Sequence, residues 1–421
     1  TLLLFACVCV NYIISKKIAS SEGRKKRVFL TLGLLYDFGL LVYFKYADFL
    51  MENISVIFSQ FGHTLSYEPM NLLLPLGISF YTFQISSYLM DVYDKKTEAA
   101  PSVVHLGAYL CMFPQLIAGP IVEYKEVSQE LKNRTVTPEK ADTGMKIFTL
   151  GLAFKVLLAN VLSGIWSEME RIGFDSISTP MAWLGMYGYS MQLYFDFFGY
   201  SLMAIGLGKM LGFTIPQNFR QPYMSRSVSE FWRIWHITLG RWFRSYIYIP
   251  LGGNRMGKLK TLRNLLIVWF LTGVWHGADW NYVIWGLVLF FWIAMERIFL
   301  GKILERHRIF SHLYVLLIIP LTWMIFKIED LNTLQVYFMA LFPFLRDMPQ
   351  GVVHGQDWWM VLQNYWPVLL FCVIFCLEKT ESCLEKWMHK KWFTVLLCIV
   401  FWACVYRLFT AKNNPFLYFR F

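Results

Sequence analysis

The sequence predicts an all-α protein that crosses a membrane many times, on three observations. Charged residues make up only 16% of the 421 residues, where a soluble domain carries about 25%. Hydrophobic residues reach 57% and aromatics 18%, more apolar surface than a soluble chain of this length can hide from water. The apolar residues also fall in runs close to the roughly 20 residues a spanning helix needs, and basic loops separate those runs.

The runs lie near 1–15, 28–50, 72–92, 145–163, 181–212, 262–275, 281–299, 313–328, 364–378 and 391–410. The numbering opens at Thr1 inside the first of them, with no initiator Met and no charged leader. That pattern reads as the remnant of a membrane helix, incomplete at its start, rather than a signal peptide. The 181–212 run is too long for one straight span and is expected to break near Gly199 or Gly206. Segments 103–121 and 332–345 are short or interrupted, and read as re-entrant or interfacial. Together these give about 10–12 transmembrane and re-entrant helices in a single membrane-embedded domain over 1–421.

Basic residues orient the spans. Lys16, Lys17, Arg24 to Arg27, then Arg255, Lys258, Lys260 and Arg263, then Lys302, Arg306 and Arg308, and finally Lys379, Lys386, Lys390 and Lys391 mark cytoplasmic loops. Segments 51–71 and 347–363 hold no Lys or Arg and are expected outside. The hairpin between 262 and 299 therefore runs outward and back, with His276 near its outer end. Fourteen residues from Leu262 rise about 21 Å at 1.5 Å each, short of a core about 30 Å thick. His276 is thus expected below the outer surface, inside the protein.

Composition also excludes function classes. The net charge of +11 is accounted for by loops that meet anionic lipid heads, and no nucleic-acid motif accompanies it. Eight Cys form no CxxC pair and no Cys/His cluster of zinc spacing, so neither a disulfide nor a metal site is expected.

The segment 215–261 is amphipathic. Ser227 and Glu230 have the spacing of a capping box. After them, Phe231, Trp232, Trp235, Trp242 and Phe243 alternate with Arg233, Arg241 and Arg244. Such a stretch is either an interfacial anchor or a vestibule for a charged donor. In the second reading these arginines, with Asn254 and Arg255 of the Gly252-Gly253-Asn254-Arg255 turn, hold phosphate.

Among eight His, His236 and His276 stand out. Both follow a Trp (Trp235 and Trp275), both lie in membrane-associated segments, and they enter from opposite faces. An ionisable residue within a membrane points to function, and the alternative is a neutral ring satisfied by a carbonyl. Asp196 is a lone carboxylate in an apolar run, and His236, Arg244 or a backbone amide is its expected partner. Asp279, three residues after His276, is placed to orient that ring. A His suits general-base acyl transfer to a hydroxyl, and no serine elbow, HExxH or P-loop competes with it.

The motifs LPLGISFYTFQ at 74–84, FPQLIAGPI at 113–121, FDFFGYS at 195–201, EFWRIWH at 230–236, YIPLGGNR at 248–255 and TGVWHG at 272–277 resemble the membrane-bound O-acyltransferase family. The likeness is to its bacterial branch, which acylates envelope polysaccharides. The resemblance implies a ring of helices about a central tunnel, with His276 catalytic and His236 a second functional histidine. It implies acetyl-CoA as a cytoplasmic donor substrate, no bound cofactor, and a cell-envelope polysaccharide acceptor served by an extracytoplasmic SGNH-type acetyltransferase. The aromatic ending 416–421 is similar to the acetylating members and marks Tyr418 as a transient acyl carrier; the alternative is an interfacial anchor. Two other functions stay open at this point. One is D-alanyl transfer from a carrier protein to teichoic acid. The other is a transporter or flippase, which broken helices and buried polar residues also suit.

Overall fold

The structure is a computed structural model that describes residues 2–116, 119–345 and 355–411. In chain order the helices are α1 (Leu2–Ser20), α2 (Gly23–Gln60), α3 (Ile78–Tyr93), α4 (Val103–Leu110), α5 (Tyr124–Lys132), α6 (Pro138–Ile172), α7 (Thr179–Met210), α8 (Val228–Ile234) and α9 (Ile237–Phe243). They continue with α10 (Lys258–His276), α11 (Trp280–Arg306), α12 (Arg308–Lys327), α13 (Leu331–Leu341), α14 (Asp357–Phe375), α15 (Glu378–Trp387) and α16 (Lys391–Thr410). Among the described residues there is no strand, and a lone bridge pairs Phe219 with Trp235.

Seven of these helices are long and apolar enough to cross a membrane: α1, α2, α6, α11, α12, α14 and α16. The protein is a multi-pass membrane protein. Burial separates an outer ring from an interior. Only 11% of the apolar window of α14 and 17% of that of α16 is covered by protein, so lipid must solvate the rest. The interior helix α3 buries nearly every residue from Ile78 to Val92.

The expected break in the 181–212 run does not occur. α7 is continuous for 32 residues, about 48 Å at 1.5 Å per residue. Its glycines serve contact with α6 instead. A Cβ at Gly199 would stand 2.6 Å from the Gly151 carbonyl oxygen, and one at Gly206 would stand 2.6 Å from that of Gly144. The two pairs are seven residues apart on each helix, two turns along a common seam. Small residues there let the backbones approach as larger ones cannot.

Among the described residues, four helical stretches contain a turn of π-helix: Val42–Tyr46 within α2, Phe154–Ala159 within α6, Arg244–Tyr248 after α9, and Glu296–Leu300 within α11. Each carries a charged residue. Lys155 ion-pairs with Asp196 in the interior, a partner the spacing of the sequence does not offer. The segments read as short do form short helices, α4 followed by the turn Phe113–Leu116, and α13.

Candidate active site

The amphipathic segment folds into two seven-residue helices, α8 and α9, that meet at His236. Ser227 caps α8, its hydroxyl accepting the Glu230 N–H at 3.0 Å. The return half of the box is shifted by one residue, since the Glu230 carboxylate accepts from the Arg226 N–H at 2.8 Å. Glu296, in the π turn of α11, accepts the Val228 and Ser229 N–H groups at 2.6 and 2.9 Å and the Ser229 hydroxyl at 2.5 Å. An anion at a helix start satisfies orphan donors there and suits the helix dipole. It fixes α8 against α11.

His236 has φ 47° and ψ 53°, left-handed geometry that costs a side-chain-bearing residue of order 1 kcal/mol or more. The buried Asn218 sustains it. Its backbone oxygen accepts the Ile237 N–H at 3.0 Å. Its side-chain Oδ1 accepts the Thr238 N–H at 3.2 Å and the Thr238 hydroxyl at 3.0 Å. A backbone donor fixes which end of this amide is oxygen. His236 Nδ1, 3.2 Å from the same Oδ1, must therefore carry the proton. The other nitrogen, Nε2, is then bare, and among the described residues it has no hydrogen-bond partner. A bare imidazole nitrogen is a proton acceptor.

His236 lines a cavity of 1020 Å³. Arg226, Arg233, Arg244 and Arg297 also line it, and on one side it follows α10 past Leu265, Val268, Trp269 and Thr272. Thr272 lies one turn, about 6 Å along the axis, before His276. His276 closes α10 and is 9% exposed. Its ring packs edge-on to Trp275, Trp285 and Phe326, with centroids 4.9, 5.0 and 5.2 Å away. Trp285 in turn meets Trp232, a cavity residue, at 5.4 Å. Trp285 and Trp232 thus link the ring pocket of His276 to the cavity that His236 lines. Gly273 and Gly286 draw α10 and α11 together here. A Cβ on either would stand 2.4 Å from a carbonyl oxygen of the other helix.

Phe83 joins the regions of the two histidines. Its ring stacks on Trp242 at 3.8 Å and on Trp275 at 5.3 Å, and its carbonyl accepts the Trp242 indole N–H at 2.9 Å. The end of α10 and the α9 segment are thereby registered to α3.

The residues singled out from sequence divide. His236, Trp235, Arg233 and Arg244 line the cavity, and His276 and Trp275 sit behind it. Arg241 turns elsewhere. It forks onto Glu126 at 2.6 and 3.0 Å and reaches Glu123 at 3.4 Å, bolting α9 to α5. Asn254 and Arg255 are exposed, outside the cavity lining. Asp196 is buried in its pair with Lys155. Asp279 caps α11, accepting the Trp280 N–H at 2.5 Å. Tyr418 lies outside the described residues. Asn218, Glu296, Arg226 and Arg297 escape a reading by motif. Arg297 is masked as one more basic residue at a span end, and Asn218 gives no pattern until the His236 turn is seen.

A buried imidazole on a cavity lined by four arginines and three glutamates, with a second imidazole close by in a lipid-embedded bundle, is the kind of site a membrane-embedded group-transfer enzyme needs. Residues 98–326 match the MBOAT, membrane-bound O-acyltransferase family, and the chain belongs to that family. It is an acyltransferase, which sets the flippase alternative aside. The chain is 36% identical over 444 residues to the probable alginate O-acetylase of Pseudomonas putida, covering 100% of this chain and 90% of that one. It is 32% identical over 470 residues to the peptidoglycan O-acetyltransferase of Helicobacter pylori, covering 100% and 87%. A match to the teichoic acid D-alanyltransferase of Bacillus subtilis is 31% identical over 233 residues and covers 52% of this chain and 58% of that one.

Proposed function

We propose that the protein is an O-acetyltransferase that draws acetyl from acetyl-CoA on the cytoplasmic side and passes it toward a cell-envelope polysaccharide outside. One observation carries this reading: the cavity lined by four arginines and by His236, which follows α10 to one turn short of His276. Arg226, Arg233, Arg244 and Arg297 suit the phosphates of a CoA donor, because guanidinium pairs with phosphate oxygens through paired N–H groups. The thiol-bearing arm then lies along Leu265, Val268 and Trp269. His276 acts as general base on the acceptor hydroxyl. As its nitrogen takes the proton, the oxygen forms a bond to the thioester carbonyl carbon. The carbon–sulfur bond breaks, and the leaving thiolate takes up the proton to give free CoA and an acetyl ester. His236 lines the same path.

The O-acetylating relatives of Pseudomonas putida and Helicobacter pylori match all of this chain, and the D-alanyl transferase matches about half, which favours acetyl. Delivery outward uses an SGNH-type acetyltransferase, with Tyr418 as the transient carrier. The test is label transfer from acetyl-CoA into envelope polymer by inverted membrane vesicles from the native host. His276→Ala is expected to abolish transfer with the protein still folded, and wild-type transfer by that variant overturns the reading. Tyr418→Phe keeps the aromatic ring and removes the hydroxyl, so unchanged transfer excludes the carrier step.

A further inference from the structure

The last turn of α10 is held by a neighbouring helix rather than by its own chain. The last four carbonyls of a helix have no intrahelical partner. Past His276 the chain leaves at Gly277 in an extended conformation, φ −160° and ψ 159°, so the left-handed cap that closes many helices is absent. Lys45 and Tyr46 take its place. The Tyr46 hydroxyl donates to the Val274 carbonyl at 2.6 Å. The Lys45 ammonium donates to the Trp275 carbonyl at 2.7 Å and to that of His276 itself at 3.0 Å. Three of the four orphan acceptors are thus met by two adjacent side chains.

Those two side chains come from the π turn Val42–Tyr46 of α2. A π turn adds a residue to the helical repeat and re-aims the side chains beyond it. Here it turns a lysine and a tyrosine together toward α10. A cation within a membrane span is costly, and among the described residues no carboxylate pairs with Lys45. Its charge is met instead by the negative end of the α10 dipole. Capping alone would not require a cation, because a glycine or a neutral donor satisfies carbonyls in most helices. The placement is also specific: the same nitrogen bonds the carbonyl of the histidine and that of the residue before it.

We propose that Lys45 is a positioning residue for acyl transfer, assisted by Tyr46. By clamping the main chain of Trp275 and His276 it sets where the His276 imidazole stands between Trp285, Phe326 and the cavity. General-base catalysis demands hydrogen-bond reach to the reacting proton, so a shift of about 1 Å at the end of α10 costs on the order of 10²-fold in rate. The proposal rests on His276 being the catalytic base.

The test compares Lys45→Met, Lys45→Gln, Lys45→Arg and Tyr46→Phe with His276→Ala, in inverted vesicles of the native host supplied with labelled acetyl-CoA. Rates are normalised to folded protein, and Tm is followed separately. Lys45→Met is expected to lower kcat at least tenfold while KM for acetyl-CoA stays within twofold. Lys45→Arg, which keeps a cation and its donors, should recover most of the rate, and Tyr46→Phe should lose only a few-fold. Lys45→Gln keeps one neutral donor and stands in should the Met variant not fold; its kcat is also expected to fall. A merely structural cap would lower Tm and yield while leaving kcat per folded molecule unchanged, and that result overturns the proposal. Full activity in His276→Ala would overturn the catalytic reading instead. Loss in His276→Ala with wild-type kcat in both Lys45→Met and Lys45→Gln would refute the positioning role alone.

Discussion

Replacing Asn218 by Ala probes the link from packing to proton position. One side-chain oxygen, buried at 1% exposure, serves His236 Nδ1 at 3.2 Å, the Thr238 N–H at 3.2 Å and the Thr238 hydroxyl at 3.0 Å. Each lost hydrogen bond costs about 1 kcal/mol, and a donor left buried without a partner costs about 1–3. The Thr238 hydroxyl can rotate, although its oxygen still accepts the Ile121 N–H at 2.9 Å, so two donors remain stranded. The expected destabilisation is about 3 kcal/mol. The second consequence is chemical. Without an acceptor at Nδ1, nothing holds the proton on that nitrogen, and the ring can present N–H where it now presents a bare Nε2. A proton-accepting histidine in the wrong tautomer forfeits its part in proton transfer, on the order of 10²-fold. The assay is thermal unfolding of detergent-purified protein alongside acetyl transfer per folded molecule at a temperature where the variant is intact. A variant that melts early yet transfers acetyl at the wild-type rate would refute the claim that Asn218 sets the tautomer of a working histidine.

Neighbouring features carry three more expectations. His236→Asn is expected to fold, because Asn tolerates left-handed backbone, and to lose acetyl transfer. Comparing it with His236→Ala in melting and activity separates backbone strain from imidazole chemistry, and a fully active Asn variant would deny His236 a chemical role. Gly199→Ala puts a methyl 2.6 Å from the Gly151 carbonyl and should destabilise by about 1–3 kcal/mol. Gly39→Ala, with nothing within 4 Å, should be near neutral in the same melt, and equal melting of the two would contradict the seam between α6 and α7. Lys155→Met leaves Asp196 a buried charge without its cation and should cost about 3–5 kcal/mol, while Lys155→Met with Asp196→Leu should recover most of it. A double variant no more stable than the single would show that the pair is bound into a wider network.

Much of the helical architecture was legible, because lipid forces every spanning backbone to satisfy itself within a helix. Hydropathy therefore locates α1, α11, α12 and α16 closely. It fails where side chains meet protein instead of lipid. Gly199 and Gly206 read as breaks because glycine weakens a helix in isolation; only the partner glycines of α6 show them to be contact points. The site was legible through residue type at His236 and His276, where polar rings in apolar surroundings betray themselves. It was illegible where the partner is distant. Arg241 and Arg233 carry the same charge eight residues apart on one amphipathic stretch, yet one binds Glu126 and the other faces the cavity. Asp279 looked like an orienting group for His276 from its spacing, but its carboxylate caps α11, a local role that three-residue spacing also fits.

The four π turns explain why the lone charges inside apolar runs carried more information than the motifs disclosed. Lys45, Lys155 and Glu296 each interrupt a long hydrophobic span, and Arg244 comes just after a short one. In a regular helix such a residue has to point along one fixed face, toward lipid as often as toward protein. An inserted π turn shifts the phase at that point and re-aims the side chains that follow it. All four then meet a tertiary role: Lys45 on the His276 carbonyl, Lys155 on Asp196, Arg244 on the cavity, and Glu296 on the start of α8. Three of these bear directly on the segment that presents His236 or the helix that ends in His276. A π turn at a charge is thus one way in which a long apolar span serves a site, and Asp196, buried within the uninterrupted α7, shows that a regular helix does the same where its face already meets protein.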